Sequence, residues 1–156
     1  MKTVNDWLDE YNISHRNPIN KRLHWICVPL IVLAVACALK RVPMGPLPDL
    51  TLLVGVAVLL YYFRLSWRLA LGMSLIFALA YALVLQAEAQ LGAGLLWAAA
   101  AVFVLAWIGQ FIGHYYERAR PSFFKDLQFL LIGPLWLLAH VYRRLALPIQ
   151  PATAGG

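Results

Sequence analysis

Apolar runs at residues 23–39, 50–63, 69–87, 91–112 and 127–141 take up most of this chain. In hydrocarbon every backbone polar group must be satisfied within the protein, so such runs fold as helices or as a closed barrel. Their length favours helices, since a helical crossing takes about 20 residues, with a range of about 17–25. The third and fourth runs meet that length comfortably and the first barely. The second falls short unless Leu47 and Leu65 are recruited, and the fifth is short and carries Gly133-Pro134. Composition agrees: 62% of the 156 residues are hydrophobic and 13% charged, against about 45–50% and 25% in a soluble chain. The expected fold is therefore all-α, a polytopic membrane helix bundle. It has four spans, a short amphipathic N-terminal helix and a fifth short helix that is re-entrant or interfacial. A single membrane domain is expected over residues 1–147, followed by a disordered tail, 148–156, with the composition PIQPATAGG.

Charge sets the orientation. With four crossings, Arg16, Lys21, Arg22, the turn from Arg64 to Arg68 and the loop at 117–126 share one side, while Lys40, Arg41, Asp49 and Glu88 share the other. Lys and Arg are enriched on the first side, which should face the cytoplasm. A net charge of +6 raises nucleic acid as a partner, but the basic residues flank apolar runs and form no stripe. Topology control and anionic lipid headgroups explain them, so no nucleic acid is expected. The polar, acidic start MKTVNDWLDEYN does not read as a secretory signal peptide. Cys27 and Cys37 lie in one run, about 15 Å apart on a helix, too far for a disulfide between them.

The polar residues worth weighing stand where the chain enters the first run, in SHRNPINKRLHWICVPL. Thr3 and Asp6 predict a capping box for a helix over 4–15. On it Trp7, Leu8, Tyr11 and His15 share a face. Asn17-Pro18 ends that helix, because the residue before proline is pushed out of the α region. On one straight helix His15 and His24 would be about 13.5 Å apart and on opposite faces. A turn between them lets one helix fold back so that both reach a common site. In WIGQFIGHYYERARP, Gln110, His114 and Glu117 are spaced i, i+4, i+7 and share one helical face. His114 lies at the cytoplasmic end of its span, beside His15 and His24. His140 joins them only if the fifth run turns back, which Arg143-Arg144 favours. Gly109 and Gly113 form a small-xxx-small pair suited to helix packing.

Three or four histidines, or two with a carboxylate, suffice for one mononuclear metal ion. Fe(II) with positions left open for substrate and O2 suits such a set, as does zinc. Two rivals stay open: a bis-histidine haem electron carrier with haem between His24 and His114, and a non-catalytic scaffold or lipid-binding protein whose histidines only pack.

YNISHRNPINKRLHWICVP and WIGQFIGHYYERARPSFFKDLQFLLIGPLW resemble the 2-hydroxy fatty acid dioxygenase family. These small membrane proteins are typified by the yeast enzyme of phytosphingosine degradation. The resemblance covers nearly the whole chain, through the paired signature HxNPxNxxxH…VP and QFxGH…E…RP. It implies Fe(II)-dependent α-oxidation, in which a 2-hydroxy fatty acid reacts with O2, loses its carboxyl carbon as CO2 and becomes one carbon shorter. It places metal ligands at His15, His24 and His114, with His140 added where the fungal type has a glutamate. Glu117 falls one position nearer its histidine than the fungal acidic residue does. Glu117 and Gln110 are the candidate catalytic groups. Asn17, Asn20 and Gln110 are candidate partners for the far ring nitrogens, and Arg16, Arg22 or Arg118 would neutralise the substrate carboxylate. Implied partners are the 2-hydroxy fatty acid, O2 and membrane lipid, with homo-oligomerisation left open. The expected location is the bacterial inner membrane, or the endoplasmic reticulum in a eukaryote, with the site on the cytoplasmic face.

Overall fold

A computed structural model describes residues 2–118 and 127–149. Among them the chain is all-helical: α1 (Val4–Ile13), α2 (Pro18–Lys40), α3 (Leu50–Leu65), α4 (Trp67–Leu91), a 3-10 turn at Gly92–Gly94, α5 (Leu95–Glu117) and α6 (Leu127–Arg144). The caps are those the sequence supplies. Thr3 Oγ1 accepts from the Asp6 amide at 3.2 Å and Asp6 Oδ2 accepts from the Thr3 amide at 2.7 Å, the expected capping box. Asn17 caps α2 through the Ile19 amide, with Pro18 at the first helical position, where its missing N–H costs nothing. One residue, Ser66, ends α3 and caps α4.

Two details differ from expectation. The first helix ends at Ile13 instead of 15, because the chain tightens into a turn in which the His15 amide donates to the Asn12 carbonyl. His15 therefore sits in the connection, free of helical register. The fifth run is one helix through Pro134, lengthened to Arg144. Residues 119–126 of the expected cytoplasmic loop and residues 150–156 of the expected tail lie outside the described residues. Ile149, just before the latter, accepts a hydrogen bond from Ser66 Oγ at its carbonyl.

Helices α2 and α5 pack antiparallel along their length. Near one end His24 meets His114; near the other Cys37 packs with Leu95 and Ala99. Glycines let them approach. A Cβ on Gly109 would stand 2.5 Å from Cys27 Sγ, and one on Gly113 would stand 2.5 Å from Asn20 Oδ1 and 3.4 Å from Asn20 Cα. The small-xxx-small pair is thus a packing device. Gly113→Ala should push Asn20 off its position and lower stability by about 1–3 kcal/mol, read as a fall in the midpoint of thermal unfolding in detergent. Both cysteines are free and buried.

Helix α3 runs back along α2, with Thr51 bonded to the Ala36 carbonyl near the far end. Its other end brings Tyr62 to α6, where the Tyr62 hydroxyl donates to the Leu131 carbonyl at 2.6 Å. Helix α4 then returns, from Leu69 and Met73 packed with Tyr62 to Val84 packed with Cys37. The direction alternates from α2 to α5. Helices α1 and α6 close the histidine end: Trp7, Leu8 and Tyr11 bury against Phe129, Ile132 and Trp136. Trp136 Nε1 also donates to Asn12 Oδ1 at 2.7 Å.

Two stretches, Pro18–Lys40 and Trp67–Glu117, are long and apolar enough to cross a membrane. The second comprises α4 and α5 on either side of the Gly92–Gly94 turn. Only 28% and 17% of their most apolar windows are buried, unlike the core helices of a soluble domain. Leu71, Leu75, Leu79 and Leu83 of α4 point outward as an apolar stripe. Helix α3 is apolar but has 16 residues.

Candidate metal centre

The turn between α1 and α2 delivers His15, the first turns of α2 deliver His24, and the last turn of α5 delivers His114. All three are buried, at 1%, 2% and 4% exposure. One donor nitrogen from each lies within 4.8 Å of the others. The structure thus brings together the three histidines that the two sequence motifs singled out.

Hydrogen bonding fixes how two of them present themselves. His15 Nδ1 lies 2.6 Å from the Tyr11 carbonyl oxygen, and His24 Nδ1 lies 2.9 Å from the Asn20 carbonyl oxygen. A carbonyl only accepts, so both Nδ1 atoms carry hydrogen. In neutral imidazoles both Nε2 atoms then hold bare lone pairs. Those two Nε2 atoms face each other at 2.9 Å. Neither has a proton to give the other, so the contact is repulsive unless a cation lies between them. Burial lowers the His15 pKa well below the ordinary histidine value, which disfavours a proton as that cation at neutral pH. A metal ion fits: two nitrogens bound at right angles at about 2.0–2.1 Å stand about 2.9 Å apart. The Nδ1 of His114 is buried without a hydrogen-bond partner, as a third donor would be before it binds.

Rings and carbonyls hold the group from outside. Tyr11 stacks on His15 with centroids 4.0 Å apart and planes 3° from parallel, and Trp136 lies 5.5 Å from the same ring. The residues orienting the histidines are therefore Tyr11 and Asn20 through their carbonyls, rather than amide side chains. The carbonyl one helical turn back is the nearest acceptor to a histidine Nδ1, which explains the substitution. Tyr11 was missed as a site residue, although its i, i+4 relation to His15 is visible in the sequence.

Glu117 serves a different partner. Its carboxylate accepts from the Arg16 amide at 2.8 Å, the Asn17 amide at 2.7 Å and Asn20 Nδ2 at 3.1 Å. Asn17 Nδ2 adds a bond to the Tyr116 carbonyl. Glu117 thus clamps the turn that carries His15 to the end of α5, which carries His114. His140 stands outside the donor group. Helix α6 lays its ring 5.8 Å from Trp25 and 6.4 Å from Trp136.

A cavity of about 560 Å³ opens from the three histidines and runs between α2, α3 and α4. Its walls are apolar (Val28, Ile31, Val32, Val58, Leu59 and Phe77 among them), with Tyr11 and Gln110 beside the histidines. Gln110 is 4% exposed, one turn before His114, and its Nε2 has no hydrogen-bond partner. Arg16, Arg22 and Arg118 are exposed at the same end of the molecule and form no part of the cavity wall. The geometry is a buried three-nitrogen donor set at one end of an apolar slot, with one unpartnered amide donor nearby.

Comparison with known proteins identifies the family. The chain matches the family described as "Mpo1-like: 2-hydroxy-palmitic acid dioxygenase Mpo1-like" over residues 1–145. It is 31% identical over 137 residues to "2-hydroxy-palmitic acid dioxygenase MPO1" of Saccharomyces cerevisiae, covering 82% of this chain and 73% of that protein. No solved structure matches. The matched residues take in all three histidines, the Glu117 clamp and the whole cavity, and the chain belongs to the Mpo1-like family.

Proposed function

We propose that this protein is a membrane-embedded, Fe(II)-dependent dioxygenase that converts a 2-hydroxy fatty acid and O2 into CO2, water and a fatty acid one carbon shorter. The balance closes on these reactants alone. The carbon bearing the hydroxyl rises to a carboxyl carbon, the old carboxyl carbon leaves as CO2, and the four electrons released reduce O2. No external reductant is required. The observation that carries the reading is the pair of facing, unprotonated Nε2 atoms of His15 and His24, with His114 beside them, at one end of an apolar cavity.

His15, His24 and His114 would hold the ion. Iron supplies the electron exchange with O2 that zinc, having no redox chemistry, does not. The residues around it bind and orient. Gln110 Nε2 is placed to donate to the substrate's carboxylate or hydroxyl. Arg16, Arg22 and Arg118 sit exposed at the histidine end, where their charge draws an anionic headgroup toward the protein without being desolvated. Glu117 keeps the His15 turn in register with His114. The acyl chain lies along the apolar wall, away from water. His140 has no ligand role in this reading.

The reading places α2 to α5 across the bilayer, with α1 and α6 at the cytoplasmic interface around the site. The alternating helix directions and the Lys and Arg residues at the histidine end support it. A haem between His24 and His114 fits poorly. The ring of His15 lies 4.3 Å from one and 5.2 Å from the other, in the space a porphyrin needs.

The test is to give Fe(II)-loaded protein in detergent 2-hydroxyhexadecanoate under O2. Pentadecanoate and one CO2 per O2 consumed are expected. Protein that holds iron stoichiometrically yet takes up no O2 with this acid would refute the proposal.

A further inference from the structure

Resting on the dioxygenase reading, we propose that the cavity measures the acyl chain, with Gly55 and Thr51 of α3 setting how far a chain can lie along it. The cavity runs from His24 to Leu39 along α2, fifteen residues or about 22 Å. At its far end, where Tyr81 forms part of the wall, stands a charged plug. The Tyr81 hydroxyl donates to Asp49 Oδ2 at 2.5 Å, and Lys40 Nζ lies 3.0 Å from the same oxygen and 3.7 Å from Glu88. An apolar chain end gains nothing by entering that network. An extended chain advances about 1.2 Å per bond, a third of the roughly 3.3–3.6 Å spanned by a three-bond residue, so the slot suits acids of about 16–18 carbons.

Gly55 lines this cavity, and a Cβ placed on it would meet nothing within 4 Å. Close helix packing therefore does not account for it, although glycine weakens a helix relative to alanine. Open space in the cavity wall does account for it. Register follows from the Thr51 hydroxyl bonded to the Ala36 carbonyl. Thr51 stands about 18 Å from the level of His24, and Gly55, one turn nearer, about 12 Å. A bulky side chain at either position would shorten the slot to a length that can be calculated. Val54 and Val56 are exposed beside the cavity, giving chains a lateral way in from lipid. A chain longer than the slot keeps its surplus methylenes outside it, where they add no affinity.

The experiment measures binding of saturated 2-hydroxy acids of 8 to 20 carbons to anaerobic Fe(II)-loaded protein in detergent, so that no turnover intervenes. Wild-type affinity should rise by up to about fourfold per methylene and level off near 16–18 carbons. In Gly55→Phe the plateau should begin near ten carbons, and in Thr51→Phe near fourteen or fifteen, with iron content and affinity for 2-hydroxyoctanoate unchanged. Variants that keep the wild-type plateau would overturn the ruler and leave the dioxygenase reading standing. Iron-loaded wild type that binds no acid of any length would instead remove the reading itself. If Gly55→Phe loses iron through misfolding, Thr51→Phe decides alone.

Discussion

Iron affinity falls by at least about a hundredfold when His24 is replaced by alanine, exceeding the 10–100-fold typical of an outer partner of a metal ligand. Two effects combine. One of three buried donors is lost, and His15 Nε2 loses the partner that faces it at 2.9 Å. His15→Ala and His114→Ala should match it, since each supplies one donor to the same group. His140→Ala should leave iron affinity within about twofold, because its ring touches Trp25 and Trp136 rather than the donors. Competition against a chromophoric Fe(II) chelator reads all four. Equal losses in all four variants would place His140 in the ligand set and contradict the arrangement described.

The second large effect is expected at a residue that supplies no donor. Glu117→Ala strands two backbone amides, of Arg16 and Asn17, and one side-chain donor of Asn20. Hydrogen bonds to a charged group contribute about 1.5–3 kcal/mol each. Glu117 is only partly buried, so the joint loss should be about 2–4 kcal/mol of stability. Iron affinity should fall about 10–100-fold, as when an outer partner of a ligand is removed. Glu117→Gln keeps one acceptor oxygen and should recover part of both losses. A true ligand role predicts otherwise: iron binding lost in both variants with the unfolding midpoint unchanged. Thermal unfolding and iron competition on the same samples separate the two.

The histidine group was legible because each signal was local. Asn17-Pro18 between His15 and His24 announces a reversal, and Gln110 and His114 share a helical face. What linked the two motifs was topology, read from charge, and charge identifies the end of the molecule but not the partners there. Glu117 shows the limit: its spacing from His114 is visible in the sequence, while the turn that arrives to meet its carboxylate is not. The arginines follow the same logic. Arg16, Arg22 and Arg118 do lie near the site, yet a long cationic side chain keeps its head in water, so proximity in sequence did not put them in the cavity wall. The fifth run carries Gly133-Pro134. A proline removes one helical hydrogen bond, and here α6 continues through it, packed against α1 and α4. The orienting carbonyls of Tyr11 and Asn20 carry no side-chain signature and could be found only from the i, i+4 relation.

Metal analysis, with an absorption spectrum, of protein purified anaerobically in detergent with added Fe(II) decides whether the three histidines hold iron. Close to one iron per chain, no Soret band, and loss of the iron in His114→Ala are expected. Protein that retains no metal, or iron that arrives with a Soret band, would contradict the three-histidine iron site.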